Sequence, residues 1–334
     1  MPNSFTAQFG EFATRYTSGK INKSVINKFA PDAIICDRKV ARLYKNIMPV
    51  SVPLKLVTGG EQCKTYSQLE LLHKWFAKLN LRRSGTVIVI GGGSVMDLGA
   101  LAVSTWKRGT GLVLVPTTLL AAVDASIGGK TAINLGNLKN PIGTFYPASQ
   151  ILLDTRFLNT LQPAQMRDGM AELIKTAVIG NKALFNEIYK NRDNIQSKPV
   201  PEDWIIKAAK VKAKIVEADL RETGLRKVLN LGHTLGHALE LSLGINHGQA
   251  VALGMVAACR VATAQGLCKE NDSNKIINLV ASCGLETTSK VNYKKAEKLI
   301  LNDKKTGWVL PLGIGAVIWD QEVDLQTAID AISP

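Results

Sequence analysis

The sequence predicts an N-terminal α/β domain built on a parallel sheet, followed by a C-terminal domain that is mostly α-helical. Three observations support this fold class. The chain has 334 residues, which is enough for about two domains. Its first half alternates short apolar runs with helical patterns, and its second half contains long helical patterns with little strand character. We place the boundary after residue 158, giving domains 1–158 and 159–334.

The strands of the first half read as near-continuous apolar runs, which is typical of a parallel sheet covered on both faces. The predicted strands are residues 33–36, 52–57, 86–90 and 112–115. Residues 66–79 carry apolar side chains at helical spacing. We expect Ser94 to cap the helix that follows the glycines after the third strand.

The second half is predicted to be helical over most of its length. The predicted helices are residues 163–180, 183–191, 202–220, 228–243, 248–266, 273–283 and 293–302. Strand character returns near residues 308–319. Together these patterns indicate a helical domain with a small strand element near its end.

Composition indicates which chemical class of ligand the protein binds. The formal net charge is +14 and the pI is near 9.5, which favours anionic ligands. Aromatic residues make up only 6% of the chain, which is poor support for a base-stacking nucleic-acid surface. We therefore expect a phosphorylated small molecule rather than nucleic acid.

Targeting signals and cysteine usage suggest a cytoplasmic protein. The first 20 residues lack the apolar core of a secretory signal, and no apolar run is long enough to cross a bilayer. The five cysteines are scattered, odd in number and without a CxxC pair. We expect them to be reduced thiols.

The first chemical motif is the glycine turn Gly91, Gly92 and Gly93 between a strand and a helix. Glycines let a backbone approach a pyrophosphate, and a helix N-terminus offers N–H donors. Asp97 follows one turn into the helix, and we expect it to face the loop. This is not the usual dinucleotide fingerprint, so a simple tight turn is the alternative.

The second motif places Asp124, Lys130, Lys139 and Asn140 in an otherwise apolar stretch. Buried charges are costly unless they are paired or bind a ligand. The stretch is therefore expected to line a polar cavity, and an exposed loop is the alternative.

Two further signals lie on predicted helices. Glu172 and Lys175 are three residues apart and share one helix face, where a surface ion pair is the alternative to a site. Lys212 falls in the middle of an apolar arc, so it must snorkel to solvent, pair, or serve a site.

Three of the four histidines fall within fifteen residues. Arg226, Asn230, His233 and His237 lie along one stripe if their helix begins early enough. Two histidines four residues apart can converge on one metal. His247 is expected in the turn before the next helix, and two histidines plus Glu172 would give a divalent-metal site with an open position. Structural histidines are the alternative.

Taken together, a glycine turn, a metal site and several cations indicate NAD, a divalent metal and a phosphorylated, polyhydroxylated substrate. Metal-dependent polyol dehydrogenases and sugar phosphate cyclases both fit. The strings VPTTLLAAVDASIGGKTAIN, GMAELIK, GLRKVLNLGHTLGHALE, NHGQAV and DKK, in this order, resemble the 3-dehydroquinate synthase family over residues 37–315. The resemblance implies a Rossmann-like NAD-binding N-terminal domain and a helical metal- and substrate-binding C-terminal domain.

The resemblance also assigns residues. It implies that Zn²⁺ or Co²⁺ is held by Glu172, His233 and His247. The residues that match substrate contacts are Arg108, Asp124, Lys130, Asn140, Lys175, Lys212, Arg226, Asn230, His237 and Lys304. The residues that match NAD contacts are Asp37, Glu61, Lys64, Gly92, Gly93, Asp97, Thr117, Thr118, Asp124, Lys130 and Lys139. Those expected to be catalytic are Lys130, Glu172, Lys175, Lys212 and His237.

The implied reaction converts 3-deoxy-D-arabino-heptulosonate 7-phosphate to 3-dehydroquinate and phosphate. It proceeds by transient oxidation with NAD, phosphate elimination, re-reduction, ring opening and intramolecular aldol closure. The resemblance further implies a cytoplasmic homodimer in which Arg108 reaches the pocket of the other subunit. The alternatives are a cyclitol-forming sugar phosphate cyclase, a polyol or glycerol-phosphate dehydrogenase, and an inactive NAD-binding protein. Met96 and Gln249 depart from the family pattern, and Gln249 is expected to alter the charge near the metal.

Overall fold

The computed structural model describes residues 4–136, 138–293, 297 and 307–333. The chain divides into two compact units, Met1–Leu161 and Gln162–Pro334. The first contains the parallel sheet and the second is mostly helical, as the sequence predicts.

The first unit is organised around a seven-stranded sheet with the order β1-β2-β9-β6-β5-β3-β4 in the described residues. The strands of this unit are β1 Ser4–Phe9, β2 Phe12–Ser18, β3 Ala33–Asp37, β4 Leu54–Val57, β5 Thr86–Gly91, β6 Gly111–Pro116, β7 Lys130–Leu135, β8 Leu138–Phe145 and β9 Gln150–Leu153. The four predicted strands correspond to β3, β4, β5 and β6 and are confirmed. The side chains of β3, β5 and β6 are nearly all buried in the centre of the sheet, because helices cover both faces, whereas only Val57 of the edge strand β4 is buried.

The direction of the strand order reverses beside β3. The chain passes from β3 to its neighbour β4 on one side, and then to β5 on the other side, with all of these pairs parallel. β6 continues outward from β5. In open α/β sheets, such a reversal opens a crevice at the carboxyl ends of the strands, where ligands bind.

Two antiparallel hairpins in this unit were not predicted. β1 and β2 pair along the edge of the main sheet. β7 and β8 form a separate two-stranded sheet from the stretch that contains Lys130, Lys139 and Asn140.

The helices of the first unit are α1 Lys23–Asn27, α2 Arg38–Leu43, α3 Tyr66–Lys78 and α4 Gly93–Thr105. The prediction of α3 is confirmed. The expectation that Ser94 caps α4 is wrong, because the helix already begins at Gly93 and its N-cap is Gly92. The Ser94 hydroxyl instead donates to the Glu61 carboxylate at 3.3 Å.

The helices of the second unit are α5 Pro163–Gly180, α6 Lys182–Lys190, α7 Glu202–Ala218, α8 His233–Leu243, α9 His247–Ala264, α10 Glu270–Ser282 and α11 Leu325–Asp330. They confirm the predicted helices over most of their lengths. The predicted helix 293–302 lies largely outside the described residues. The strand region at 308–319 is a hairpin of β10 Trp308–Gly313 and β11 Ala316–Gln321.

The predicted helix 228–243 begins too early, and this correction changes the site. Residues Leu225–Asn230 form a 3-10 segment, and Gly232 adopts a left-handed conformation with φ +78° before α8 starts at His233. Arg226 and Asn230 therefore do not share a helix with His233. His247 is the first residue of α9 rather than part of the preceding turn.

The described helices include no candidate for a membrane-spanning segment. All five cysteines are buried, and none forms a disulfide.

Candidate cofactor and metal sites

The carboxyl ends of β3 and β5 flank the reversal point of the sheet and carry residues expected to bind NAD. Asp37 ends β3, and its Oδ1 accepts the N–H of Lys39 at 2.7 Å, which caps α2. A Cβ at position 59 would lie 2.0 Å from the Asp37 carboxylate. Gly59 is therefore required for Asp37 to take this position. Sequence reasoning missed Gly59, although the Gly59–Gly60 pair directly after β4 was a visible signal.

The glycine turn after β5 lies against the residues that follow β6. The N–H of Thr117 donates to the Gly91 carbonyl at 2.9 Å. A Cβ at Gly92 would be 3.0 Å from the Thr118 methyl. The structure thus brings together Gly92, Gly93, Thr117 and Thr118 at the N-terminus of α4, where N–H donors and the helix dipole favour a phosphate.

Lys64 is the centre of a polar network beside this turn. Its side chain is only 3% exposed, and its Nζ lies 2.7 Å from Asp97 and 3.5 Å from Glu61. It also donates to the Asn140 side chain. Burial raises the pKa of Asp97 to about 6, although Lys64 opposes the shift. The Asp97 carboxylate lies against Lys64 in this network, and its approach to the glycine loop stays a prediction.

Asn134 belongs to the same network and was not predicted to have a role. Its side-chain amide donates to Glu61 at 2.8 Å, and its oxygen accepts the N–H of Asn140 at 2.9 Å. Its own N–H donates to the carbonyl of Lys64. Asn134 thus fixes the β7–β8 hairpin to the segment that carries Glu61 and Lys64.

The remaining predicted residues of this stretch are less buried than the sequence argument assumed. Asp124 lies partly exposed in a short π-helical turn. Lys130, Lys139 and Asn140 lie on the β7–β8 hairpin with exposed side chains. Lys130 is thus exposed in this structure, and its part in lining a polar cavity stays a prediction.

Arg108 lies in a strained turn that ends the α4 region. Lys107 and Arg108 both have positive φ, at 49° and 64°, which non-glycine residues rarely adopt. The indole N–H of Trp106 donates to Leu81 on one side of the turn. On the other side, Tyr146 donates to the carbonyl of Thr110 at 2.7 Å. These contacts hold Arg108 exposed at the surface, and strain of this kind clusters at functional positions.

In the second unit, Glu172, His233 and His247 converge although they come from three different helices. Ligand atoms of the three residues all lie within 4.8 Å of one another. Glu172 Oε1 is 3.6 Å from His233 Nε2 and 3.4 Å from His247 Nε2. The Glu172 side chain is 1% exposed, whereas that of His247 is 33% exposed. The cluster is therefore closed on the glutamate side and accessible on the His247 side.

Glycines allow the helices of this cluster to pack closely. A Cβ at Gly254 in α9 would lie 1.9 Å from the carbonyl oxygen of Gly232. This close approach holds the start of α8, with His233, against α9.

The ring orientations also fit a metal. The Nδ1 of His233 faces the Leu231 carbonyl at 3.2 Å, and the Nδ1 of His247 faces the Glu240 carboxylate at 3.3 Å. Both Nε2 atoms are thereby directed to Glu172. Burial by itself would lower the pKa of His247, but Glu172 and Glu240 outweigh it and raise the pKa to about 10. The cluster therefore stabilises a positive charge, and one carboxylate with two imidazoles is a common ligand set for zinc.

His237 lies beside this cluster but is not one of its three members. Its ring centroid is 5.3 Å from that of His233. Spacing alone would pair His233 with His237, but the structure places His247 together with His233 against Glu172.

Among the described residues of the second unit, three cationic side chains are buried. Lys175, Lys212 and Arg226 are 2%, 6% and 2% exposed. The Lys175 ammonium lies 2.5 Å from Glu172, so this pair is buried rather than on the surface. At 6% exposure Lys212 does not snorkel to solvent. Burying charges is costly, which favours a role for these side chains with an anionic ligand.

Two acidic residues hold the loop that carries Arg226 and Asn230. Asp219 accepts the backbone N–H groups of Gly224 and Arg226 at 2.7 and 3.0 Å. Glu222 accepts the side-chain amide of Asn230 at 2.7 Å. The expected contact Lys304 lies outside the described residues.

The two departures from the family pattern have separate explanations. Met96 is 2% exposed and fills the interior of the first unit. Gln249 exchanges two hydrogen bonds with the backbone of Glu286, at 3.0 and 2.9 Å. Its side chain is therefore engaged away from the histidines.

The fold is shared with solved structures of two synthases. The structure of 2-epi-5-epi-valiolone synthase from Streptomyces hygroscopicus subsp. jinggangensis 5008, with NAD⁺ and Zn²⁺ bound, matches with a TM-score of 0.86 over 97% of each chain, at 24% identity. A structure of 2-deoxy-scyllo-inosose synthase matches with a TM-score of 0.82, at 25% identity, over 98% of this chain and 95% of the other.

Sequence comparison identifies the family within this fold. Residues 54–168 match the model for the 3-dehydroquinate synthase N-terminal region, and residues 169–306 match that for the C-terminal region. The 3-dehydroquinate synthase of Enterococcus faecalis is 38% identical over 285 residues, which cover 82% of this chain and 80% of the relative. The chain therefore belongs to the 3-dehydroquinate synthase family.

Proposed function

We propose that this protein converts 3-deoxy-D-arabino-heptulosonate 7-phosphate to 3-dehydroquinate and phosphate. The observation that carries the proposal is the convergence of Glu172, His233 and His247 in a chain of this family. The substrate loses phosphate while its carbon skeleton closes, and the overall reaction involves no net oxidation. It is therefore a lyase reaction in which NAD is regenerated in each cycle.

The first unit is the NAD-binding domain in this proposal. Its support is the reversal of strand order between β4 and β5, with Asp37 and the glycine turn on either side. Asp37 suits the ribose hydroxyls, and the N-terminus of α4 suits the pyrophosphate. NAD supplies the temporary hydride acceptor when it is bound.

The second unit is the metal- and substrate-binding domain. Glu172, His233 and His247 would hold Zn²⁺ or Co²⁺, which polarises a substrate oxygen when bound. The two Nδ1 contacts keep both rings directed at Glu172. The Lys175 ammonium pairs with Oε2 of Glu172, and this ion pair holds the carboxylate in place.

The remaining buried cations suit a substrate with a carboxylate and a phosphate. Lys212 and Arg226 present positive charge from an interior that excludes water, where electrostatic attraction is stronger than in solvent. Asn230, held by Glu222, offers a hydrogen-bonding group beside Arg226. The protein's part is thus to orient the flexible substrate and to neutralise its charges.

Oligomeric state and compartment complete the proposal. The exposed Arg108, in its strained turn, suits a role in the pocket of a second subunit, so we expect a homodimer. Its mass in solution, measured by light scattering, tests this. Five buried cysteines without a disulfide suit the reducing cytoplasm.

The decisive experiment incubates the purified protein with the heptulosonate phosphate, catalytic NAD and Zn²⁺. We expect one phosphate for each 3-dehydroquinate, no accumulation of NADH, and loss of turnover with a chelator. The Glu187→Gln variant, altered at an exposed ion pair, should match the wild type. NADH accumulation with glycerol would instead indicate a dehydrogenase. Phosphate release only from a heptulose phosphate without the carboxylate would indicate a cyclitol-forming cyclase.

A further inference from the structure

Glu240 has no role in the ligand set or in the substrate contacts described above. It lies on α8, three residues after His237 and seven after His233, so the three side chains share one helix face. Its carboxylate lies 3.3 Å from Nδ1 of His247, the first residue of α9. Glu240 thus connects the face of α8 that carries one proposed ligand to the helix start that carries another.

We propose that Glu240 is a positioning residue that sets the ring of His247 for metal binding. The inference rests on the metal site of the proposed function. By accepting the Nδ1 proton, Glu240 leaves Nε2 as the nitrogen that gives up its proton to a metal, and it directs that atom to Glu172.

The surroundings of His247 explain why its ring needs such a partner. His247 is 33% exposed, whereas His233 is 12% exposed and faces a backbone carbonyl. Because His247 is more exposed, fewer neighbouring atoms prevent its ring from rotating than is the case for His233. A carboxylate also binds an N–H more strongly than a neutral carbonyl does.

The backbone at this position is already fixed by a different residue. Asp168 on α5 accepts the N–H of Gly248 at 3.0 Å. A Cβ at Gly248 would lie 2.2 Å from the Asp168 Cα, so α5 and the first turn of α9 are in close contact. With the backbone held by Asp168, the Glu240 contact acts on the ring of His247.

Gln249 provides the contrast. It follows His247 by two residues. Its amide is engaged with the backbone of Glu286 rather than with a histidine. We therefore expect substitution of Glu240, and not of Gln249, to affect the metal.

The test compares Glu240→Ala and Glu240→Gln with Gln249→Ala as the matched control. Each metal-free protein is titrated with Co²⁺ against a competing chelator, and the visible absorption of the Co²⁺ form is recorded. Glu240→Ala should weaken binding by about 10–100-fold and shift the absorption bands. Glu240→Gln, whose amide oxygen still accepts the Nδ1 proton, should weaken it by roughly threefold to tenfold.

Gln249→Ala should match the wild type in affinity and spectrum. Metal-free Glu240→Ala should remain folded, with a lower unfolding midpoint because Glu240 also stabilises the charged His247 ring. The inference is overturned if Glu240→Ala binds Co²⁺ as tightly as the wild type, if Gln249→Ala weakens binding equally, or if the wild type binds no Co²⁺. These measurements use no substrate. Failure of the synthase assay alongside the expected metal result would therefore reject the proposed reaction and leave the role of Glu240 standing.

Discussion

Each unit contains a lysine buried against a carboxylate, and the two pairs differ in origin. Lys64 and Asp97 come from segments 33 residues apart, and Asp97 keeps 21% of its side chain exposed. Lys175 and Glu172 lie one turn apart on α5, and both are at most 2% exposed. The Lys64–Asp97 pair forms only in the folded unit, where it connects two segments that are distant in sequence. The second could form in an isolated helix, so its complete burial is what requires an explanation.

Buried ion pairs contribute little to stability compared with apolar residues of the same size. Retaining one inside α5 therefore indicates a chemical role, and Glu172 has one in the metal cluster. The Lys64 pair has a different use, since it holds together side chains that are expected to face NAD. Two substitutions test this contrast, and a third extends it to a carboxylate that is held by backbone N–H groups.

The largest effect is expected for Glu172→Gln. The amide keeps the shape of the side chain but leaves the ammonium of Lys175 buried without its carboxylate. We expect a loss of about 3–5 kcal/mol in the free energy of unfolding. Metal affinity should fall by more than roughly 100-fold, which is the upper limit typical for replacing a residue that only hydrogen-bonds to a metal ligand. Urea unfolding and metal titration measure the two effects.

Glu187→Gln is the control, because Glu187 pairs with Lys207 at 2.7 Å on the surface. Its cost should stay below about 1 kcal/mol. Equal costs for the two variants would contradict the distinction between the buried and exposed pairs.

A smaller, pH-dependent effect is expected for Asp97→Asn. Burial raises the pKa of Asp97 to about 6, above its unfolded value of 3.8, so its stabilising contribution is complete below pH 3.8 and is lost as the pH rises through 6. Asparagine does not ionise. Relative to the wild type, Asp97→Asn should therefore gain up to about 2–3 kcal/mol between pH 4 and pH 7.

Unfolding by urea at several pH values measures this gain. Asp193→Asn, at a side chain that is 76% exposed, serves as the control. A constant difference between Asp97→Asn and the wild type across this range would show that Lys64 fully compensates for the burial of Asp97.

The smallest effect, with the opposite pH dependence, is expected for Asp219→Asn. Burial would raise the pKa of Asp219, but backbone N–H groups outweigh it and lower the pKa to about 2. Its contribution is therefore present above pH 3.8 and is lost as the pH falls through 2. We expect a cost of about 1–2 kcal/mol at pH 7 that shrinks toward pH 2. Acid titration of unfolding checks this, and a cost that grows on acidification would disprove it.

The sequence predicted the strands and helices whose apolar residues follow one clear pattern. β3, β5 and β6 are uninterrupted apolar runs, and α3 and α5 have regular helical spacing. The β1–β2 hairpin was missed although Phe5, Ala7 and Phe9 alternate with polar residues and Gly10 marks the turn. The start of α8 was wrong because apolar residues continue through Leu231, while Gly232 turns the backbone out of the helix.

The site was predictable as a set of residue types but not as an arrangement. Spacing alone favoured His237 as the partner of His233, and the family resemblance pointed to His247. The choice depends on how α9 packs against α8 and α5, which local patterns do not encode. Burial of Lys212 was visible as a lysine on an apolar arc, whereas Glu240 and Asp219 were overlooked because acidic residues on helices usually face solvent.

The buried cysteines have a practical consequence for labelling. Burial raises the pKa of Cys63 to about 11 and that of Cys283 to about 12, so very little reactive thiolate is present at neutral pH. A cysteine introduced on the surface can therefore carry a fluorophore or spin label while the native thiols remain in place. One such probe in each unit would allow distances to be followed as NAD, metal and substrate are added.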